Sequence, residues 1–66
     1  MTPTVDDYKL LQKLNDVGGS IHLEGNVDHR PYMRLEQLAW ATSRNLNMQE
    51  AVYTITAAGT LALREV

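Results

Sequence analysis

Residues 53–63 constrain the fold more than any other stretch, because an alternating segment runs through a threonine directly into a small-residue helix start. In Tyr53-Thr54-Ile55-Thr56, alternation places Tyr53 and Ile55 on one face and Thr54 on the other, the pleat of a half-buried strand. Thr56 then supplies a hydroxyl for the orphan amides of the next helix. Gly59, one turn further on, lowers helix propensity, so its position is better explained by close approach of that helix to the strand before it.

The N-terminal third reads as a capped helix. Thr4 and Asp7 have the spacing of a capping box, with Asp in place of Glu, and the acidic pair Asp6-Asp7 suits the positive end of the helix dipole. Leu10, Leu11, Leu14 and Val17 recur at helical spacing while Lys9, Lys13 and Asp16 fall on the opposite side. Gly18-Gly19 ends the helix, because a left-handed residue past the last turn costs least as glycine. Alternation in residues 20–24 then turns Ile21 and Leu23 inward and His22 and Glu24 outward, a short strand closed by a turn at Gly25-Asn26.

Pro31 marks the first turn of a second helix, with Asp28 as its expected cap and Leu35, Leu38 and Ala39 as its buried stripe. Arg30, Arg34 and Gln37 fall on its outer face. Residues 39–43 are compatible with helix or strand, and strand is preferred because the later strand needs a partner. Residues 44–47 are then expected to form the hairpin loop and residues 48–56 the return strand. In the last helix Leu61, Ala62 and Val66 do not share one narrow stripe with Leu63, so some apolar surface is expected to stay uncovered. The expected fold class is α+β: one small winged-helix-like domain over residues 1–66, with about three helices, a short strand and a C-terminal β-hairpin wing.

The segments Leu35-Glu36-Gln37-Leu38-Ala39-Trp40 and Tyr53-Thr54-Ile55-Thr56-Ala57-Ala58-Gly59 resemble, in order and spacing, two motifs of winged helix-turn-helix regulators of the MarR and PadR type. In those regulators a helix ends in Leu-x-x-Leu-Gly-Leu, a wing hairpin follows, and Tyr-x-Leu-Thr-x-x-Gly leads into a final helix. The similarity spans about residues 29–63. Ala39 stands where the family has Gly, and the interval from Leu23 to Pro31 leaves only a turn where the first helix of the helix-turn-helix belongs. The resemblance implies a small double-stranded-DNA-binding, regulator-like protein. Arg30 and Arg34 would contact phosphates or guanine edges, Tyr32 and Gln37 a base or sugar, and Arg44, Asn45 and Asn47 at the wing a phosphate or the minor groove.

Charge qualifies that expectation. The net charge is -2, and residues 29–47, with three arginines against Glu36, are the only basic segment. Long-range attraction to a polyanion is therefore weak, and the same arginines also suit a solvated helix face. The alternative function is a protein-binding adaptor or inhibitor on a winged-helix scaffold, using the acidic first helix or a surface formed by Trp40, Tyr32 and Met33. For Trp40 alone, a place in the core is the expectation, since one tryptophan is a large apolar contribution to so small a domain.

With 66 residues the chain buries only about 60% of the surface its unfolded form exposes. It has no Phe, so Leu, Ile, Val, Met and Ala must build the core, and a homodimer is expected to extend it. Absence of Cys excludes disulfides and thiolate chemistry and fits a reducing, cytoplasmic setting. No membrane span or signal peptide is expected. His22, Glu24, Asp28 and His29 are a combination of imidazole and carboxylate side chains that can ligate metals, but a polar strand edge is the expectation there, with no metal and no cofactor. No nucleophile elbow or phosphate-cradling glycine loop accompanies the serines and histidines, so no catalytic residues and no enzyme are expected.

Overall fold

The structure, a computed structural model, describes residues 2–65. Its elements run α1 Val5–Asp16, β1 Ser20–Leu23, α2 Arg30–Gln37, β2 Ala41–Asn47, β3 Glu50–Ile55 and α3 Ala57–Arg64. The strands form one antiparallel sheet in the order β1-β3-β2. The domain is α+β, with the helix, strand, helix, hairpin, helix order expected of a winged-helix-like chain.

Local signals act where the residues place them. The Thr4 hydroxyl accepts from the Asp7 amide at 3.3 Å, and the Asp7 carboxylate accepts from the Thr4 amide at 2.8 Å, completing the capping box. Gly18 and Gly19 follow α1 at φ 97° and 91°. At the other end of the chain Thr56 caps α3, accepting from the Gly59 amide at 3.1 Å.

Sheet register separates an inner from an outer face. Ile21, Tyr53 and Ser43 share one row, and Leu23, Ala51 and Asn45 the next, both on the helix side. His22, Val52 and Arg44 lie on the outer side, as do Ser20, Thr54 and Thr42. This is the alternation of an antiparallel sheet covered on one face only. Leu11, Leu14, Leu35 and Ala41 form one buried cluster, and Leu23, Tyr32, Ala51 and Tyr53 a second. Leu10 and Ile21 pack against both and join them. Full burial of a leucine side chain contributes roughly 1.5–3 kcal/mol, so Leu11, Leu14 and Leu35 carry much of the stability of α1 and α2. Trp40 is half-buried against the first cluster and tilts over Tyr8, ring centroids 5.0 Å apart.

Several expectations are corrected. The hairpin loop is only Met48-Gln49: β2 continues through residues 44–47, with a bulge between Asn45 and Asn47, and β3 starts at Glu50. A strand that pairs on to its end leaves fewer backbone groups unsatisfied than a four-residue loop. Helix α2 stops at Gln37 with Leu38 as cap, and Ala39 follows at φ 64°. The αL residue turns the chain away, so Ala39 is exposed rather than part of the buried stripe. Val17, just past α1, is also exposed. Leu61 is exposed, as expected for the last helix, and Val66 lies outside the described residues.

Candidate functional site

Helix α2 and the β2-β3 hairpin flank a groove of about 320 Å³ whose walls include Met33, Glu36, Ser43, Asn45 and Met48, with the buried Tyr53 beneath. Met33 projects from α2 because Tyr32 and Leu35 occupy the buried side of that short helix. Met48 stands at the turn, fully exposed. Ser43 donates its hydroxyl hydrogen to the Glu36 carboxylate, which ties α2 to β2 across the groove. Tyr53 approaches His29 through its hydroxyl, 3.4 Å from Nδ1, and burial pushes its pKa above the ordinary tyrosine value.

The residues expected to contact DNA do not converge on this groove. Arg34 reaches back to α1, donating from Nε to Asp7 Oδ1 at 2.9 Å and from Nη2 to Asp7 Oδ2 at 2.7 Å. Arg30 donates to both oxygens of Asp28, each at 3.0 Å, and its backbone amide also donates to Oδ1. The expected Asp28 cap is corrected: the N-cap position is His29, which makes no side-chain cap bond, and Asp28, one residue earlier, accepts from the Arg30 amide instead. The Arg30 pair is exposed and of the kind that adds little stability, whereas the Arg34 pair has a buried carboxylate at one end.

Tyr32 is corrected from a base or sugar contact to a core residue. Its ring packs 5.3 Å from that of Tyr53, because its position in α2 faces the sheet. Arg44 is exposed but lies on the outer sheet face, opposite to its neighbours Ser43 and Asn45. Gln37 is exposed at the end of α2. Asn45 and Asn47 both line the groove, and Asn47 is also engaged within the turn, accepting from the Gln49 amide at 2.8 Å and donating to Glu50 Oε1 at 2.9 Å.

Sequence reasoning did not single out Glu36 and Glu50, which add two carboxylates to the groove lining. The Glu50 carboxyl is lowered from its ordinary value, first by the Asn47 amide and then by His22. Asp7 was legible as a capping residue but not as the buried acceptor for Arg34, since nothing local links positions 27 residues apart.

A family model described as DUF3860-like matches residues 3–65. The chain belongs to the DUF3860-like family. No curated protein matches it. Among the described residues of this DUF3860-like domain, no helix is long and apolar enough to cross a membrane.

Proposed function

We propose that this DUF3860-like chain is a small protein-binding module, an adaptor or inhibitor whose α2-hairpin groove receives a basic, partly apolar segment of a partner protein. The observation that carries this reading is the pairing of exposed Met33 and Met48 with Glu36 and Glu50 around one groove. Unbranched, polarizable methionine side chains adapt to an apolar partner, and the carboxylates complement its cations. The helix and hairpin order that resembles MarR- and PadR-type regulators serves here as scaffold. A cytoplasmic setting belongs to the same reading, supported by a cysteine-free sequence.

DNA binding is the competing outcome. Arg34 is committed to Asp7, so Arg30 and Arg44 remain as the exposed arginines of the expected set. Two phosphate contacts correspond to a salt slope of only about -1.8, too small for tight binding by one copy.

A peptide library displayed on phage and selected on the purified protein tests the reading. Enriched sequences rich in Lys or Arg and apolar residues, lost in the Met33→Glu/Met48→Glu variant, are expected. In parallel, a mixed-sequence duplex titrated at low and moderate salt should leave the amides of α2 and the hairpin unmoved. Salt-sensitive shifts around Arg30, Gln37 and Arg44, with no peptide enrichment, would replace the protein partner by DNA.

A further inference from the structure

The β1-β3 register aligns Ser20, Ile21, His22 and Leu23 with Thr54, Tyr53, Val52 and Ala51, so its next step brings Glu24 beside Glu50. Alternation turns both away from the buried Leu23-Ala51 pair, to the side that carries His22. One ligand atom from each of His22, Glu24 and Glu50 lies within 4.8 Å of the others. Like charges opposed across a strand pair are destabilising, and a bound cation reverses the sign of that interaction. Asn47 donates to Glu50 Oε1 at 2.9 Å, while Glu50 Oε2 faces His22 Nε2 at 3.0 Å. The amide thus orients the carboxylate from outside the cluster, as second-sphere hydrogen bonds orient metal ligands. An open depression lined by Glu24, Gly25, Asn47, Met48 and Glu50 provides the entry path.

We propose that His22, Glu24 and Glu50 form a surface site for a divalent first-row transition metal of the zinc and cobalt class. One imidazole nitrogen and two carboxylate oxygens are the donors; imidazole favours these ions over calcium and magnesium, which prefer all-oxygen sites. Three protein donors leave a position for water or a partner's side chain. The metal joins the end of β1 to the start of β3 and so braces that strand pair. The site shares Glu50 with the groove, but His22 and Glu24 lie outside the groove lining, so Zn²⁺ binding and peptide binding can fail separately.

The test is calorimetric titration of the untagged, chelator-treated protein with Zn²⁺, followed by amide NMR. One-to-one binding is expected, with shifts confined to residues around 22–25 and 47–51. His22→Gln, Glu24→Gln and Glu50→Gln should each weaken binding at least tenfold and Asn47→Ala about tenfold, while Glu65→Gln leaves it unchanged. Co²⁺ should give a visible absorption band that His22→Gln removes. Amide dispersion like that of the wild type in the three ligand variants shows that the fold is kept. No heat and no shifts at millimolar Zn²⁺, or affinity within twofold of wild type in those variants, overturns the site.

Discussion

Arg34 and Asp7 meet as a fork of two parallel hydrogen bonds, 2.9 and 2.7 Å long, that joins α2 to the first turn of α1. The same carboxylate closes the Thr4 capping box, so one buried side chain both starts a helix and docks its neighbour. Bidentate, charge-assisted pairing is the stronger kind of hydrogen bond, and here it leaves no buried side-chain polar atom unsatisfied among the described residues.

The pH dependence of stability follows from that pair. Hydrogen bonds from Arg34, with further help from Thr4, hold the Asp7 carboxyl far below the usual carboxylate range, against the opposing effect of burial. A depressed folded-state pKa contributes stability that is complete above the unfolded value of about 3.9 and is lost as pH falls through the folded value. Urea midpoints should therefore be insensitive to Asp7 between pH 7 and 5 and should fall below about pH 4, with a shallower fall in Asp7→Asn. Asp7→Ala should cost about 1–3 kcal/mol at pH 7 through loss of the charged hydrogen bonds and the cap. An unchanged acid limb in Asp7→Asn would remove Asp7 from this role.

Ala39 adopts φ 64° between α2 and β2, a conformation that strains an L-residue with a Cβ. Ala39→Gly should raise stability by about 0.5–1 kcal/mol and Tm by about 2–8 °C, relief of strain outweighing the entropy of glycine. A lower Tm in calorimetry would contradict the strained geometry.

Gly59 is the converse case. A Cβ there would lie 2.4 Å from the Trp40 carbonyl oxygen and 3.0 Å from Ile55 Cγ1. Gly59→Ala gains about 1 kcal/mol of helix propensity but forces backbone apart, and overpacking costs about 1–3 kcal/mol. Net loss of stability, measured by chemical denaturation, is expected; a net gain would show that α3 has room to move off the Trp40 carbonyl.

Thr56 couples the same joint through three bonds: it accepts from the Gly59 amide, donates its hydroxyl hydrogen to the Ala39 carbonyl at 2.7 Å, and donates its amide to the Trp40 carbonyl at 2.9 Å. Thr56→Ala should cost about 1–2 kcal/mol, with Thr56→Ser recovering most of it. Equal losses in both variants would assign the effect to the methyl group instead.

Much of the fold was legible because it is written in residues a few positions apart. The Thr4 and Thr56 caps, the Gly18-Gly19 stop, the inward Ile21 and Leu23, and the close approach at Gly59 all follow from spacing and side-chain type. The hairpin boundary was not, because residues 44–47 are polar enough for a loop and become strand only by pairing with β3. The candidate groove was legible only in part: Met33, Asn45 and Asn47 were named, but Glu36, Met48 and Glu50 carried no local signal of a shared surface.

By itself the sequence determined where helices and strands begin and stop, since capping, left-handed turns and alternation depend on neighbours within about four residues. The tertiary structure alone decided which charges are spent and which are presented. Arg34 meets an acid 27 positions earlier, Tyr32 turns into the sheet, Arg44 faces the outer side, and Glu50 arrives beside His22 from 28 positions away. Whether an arginine is a ligand for something else or a strut within the fold depends on its nearest carboxylate in space, and that distance exists only once the chain has closed.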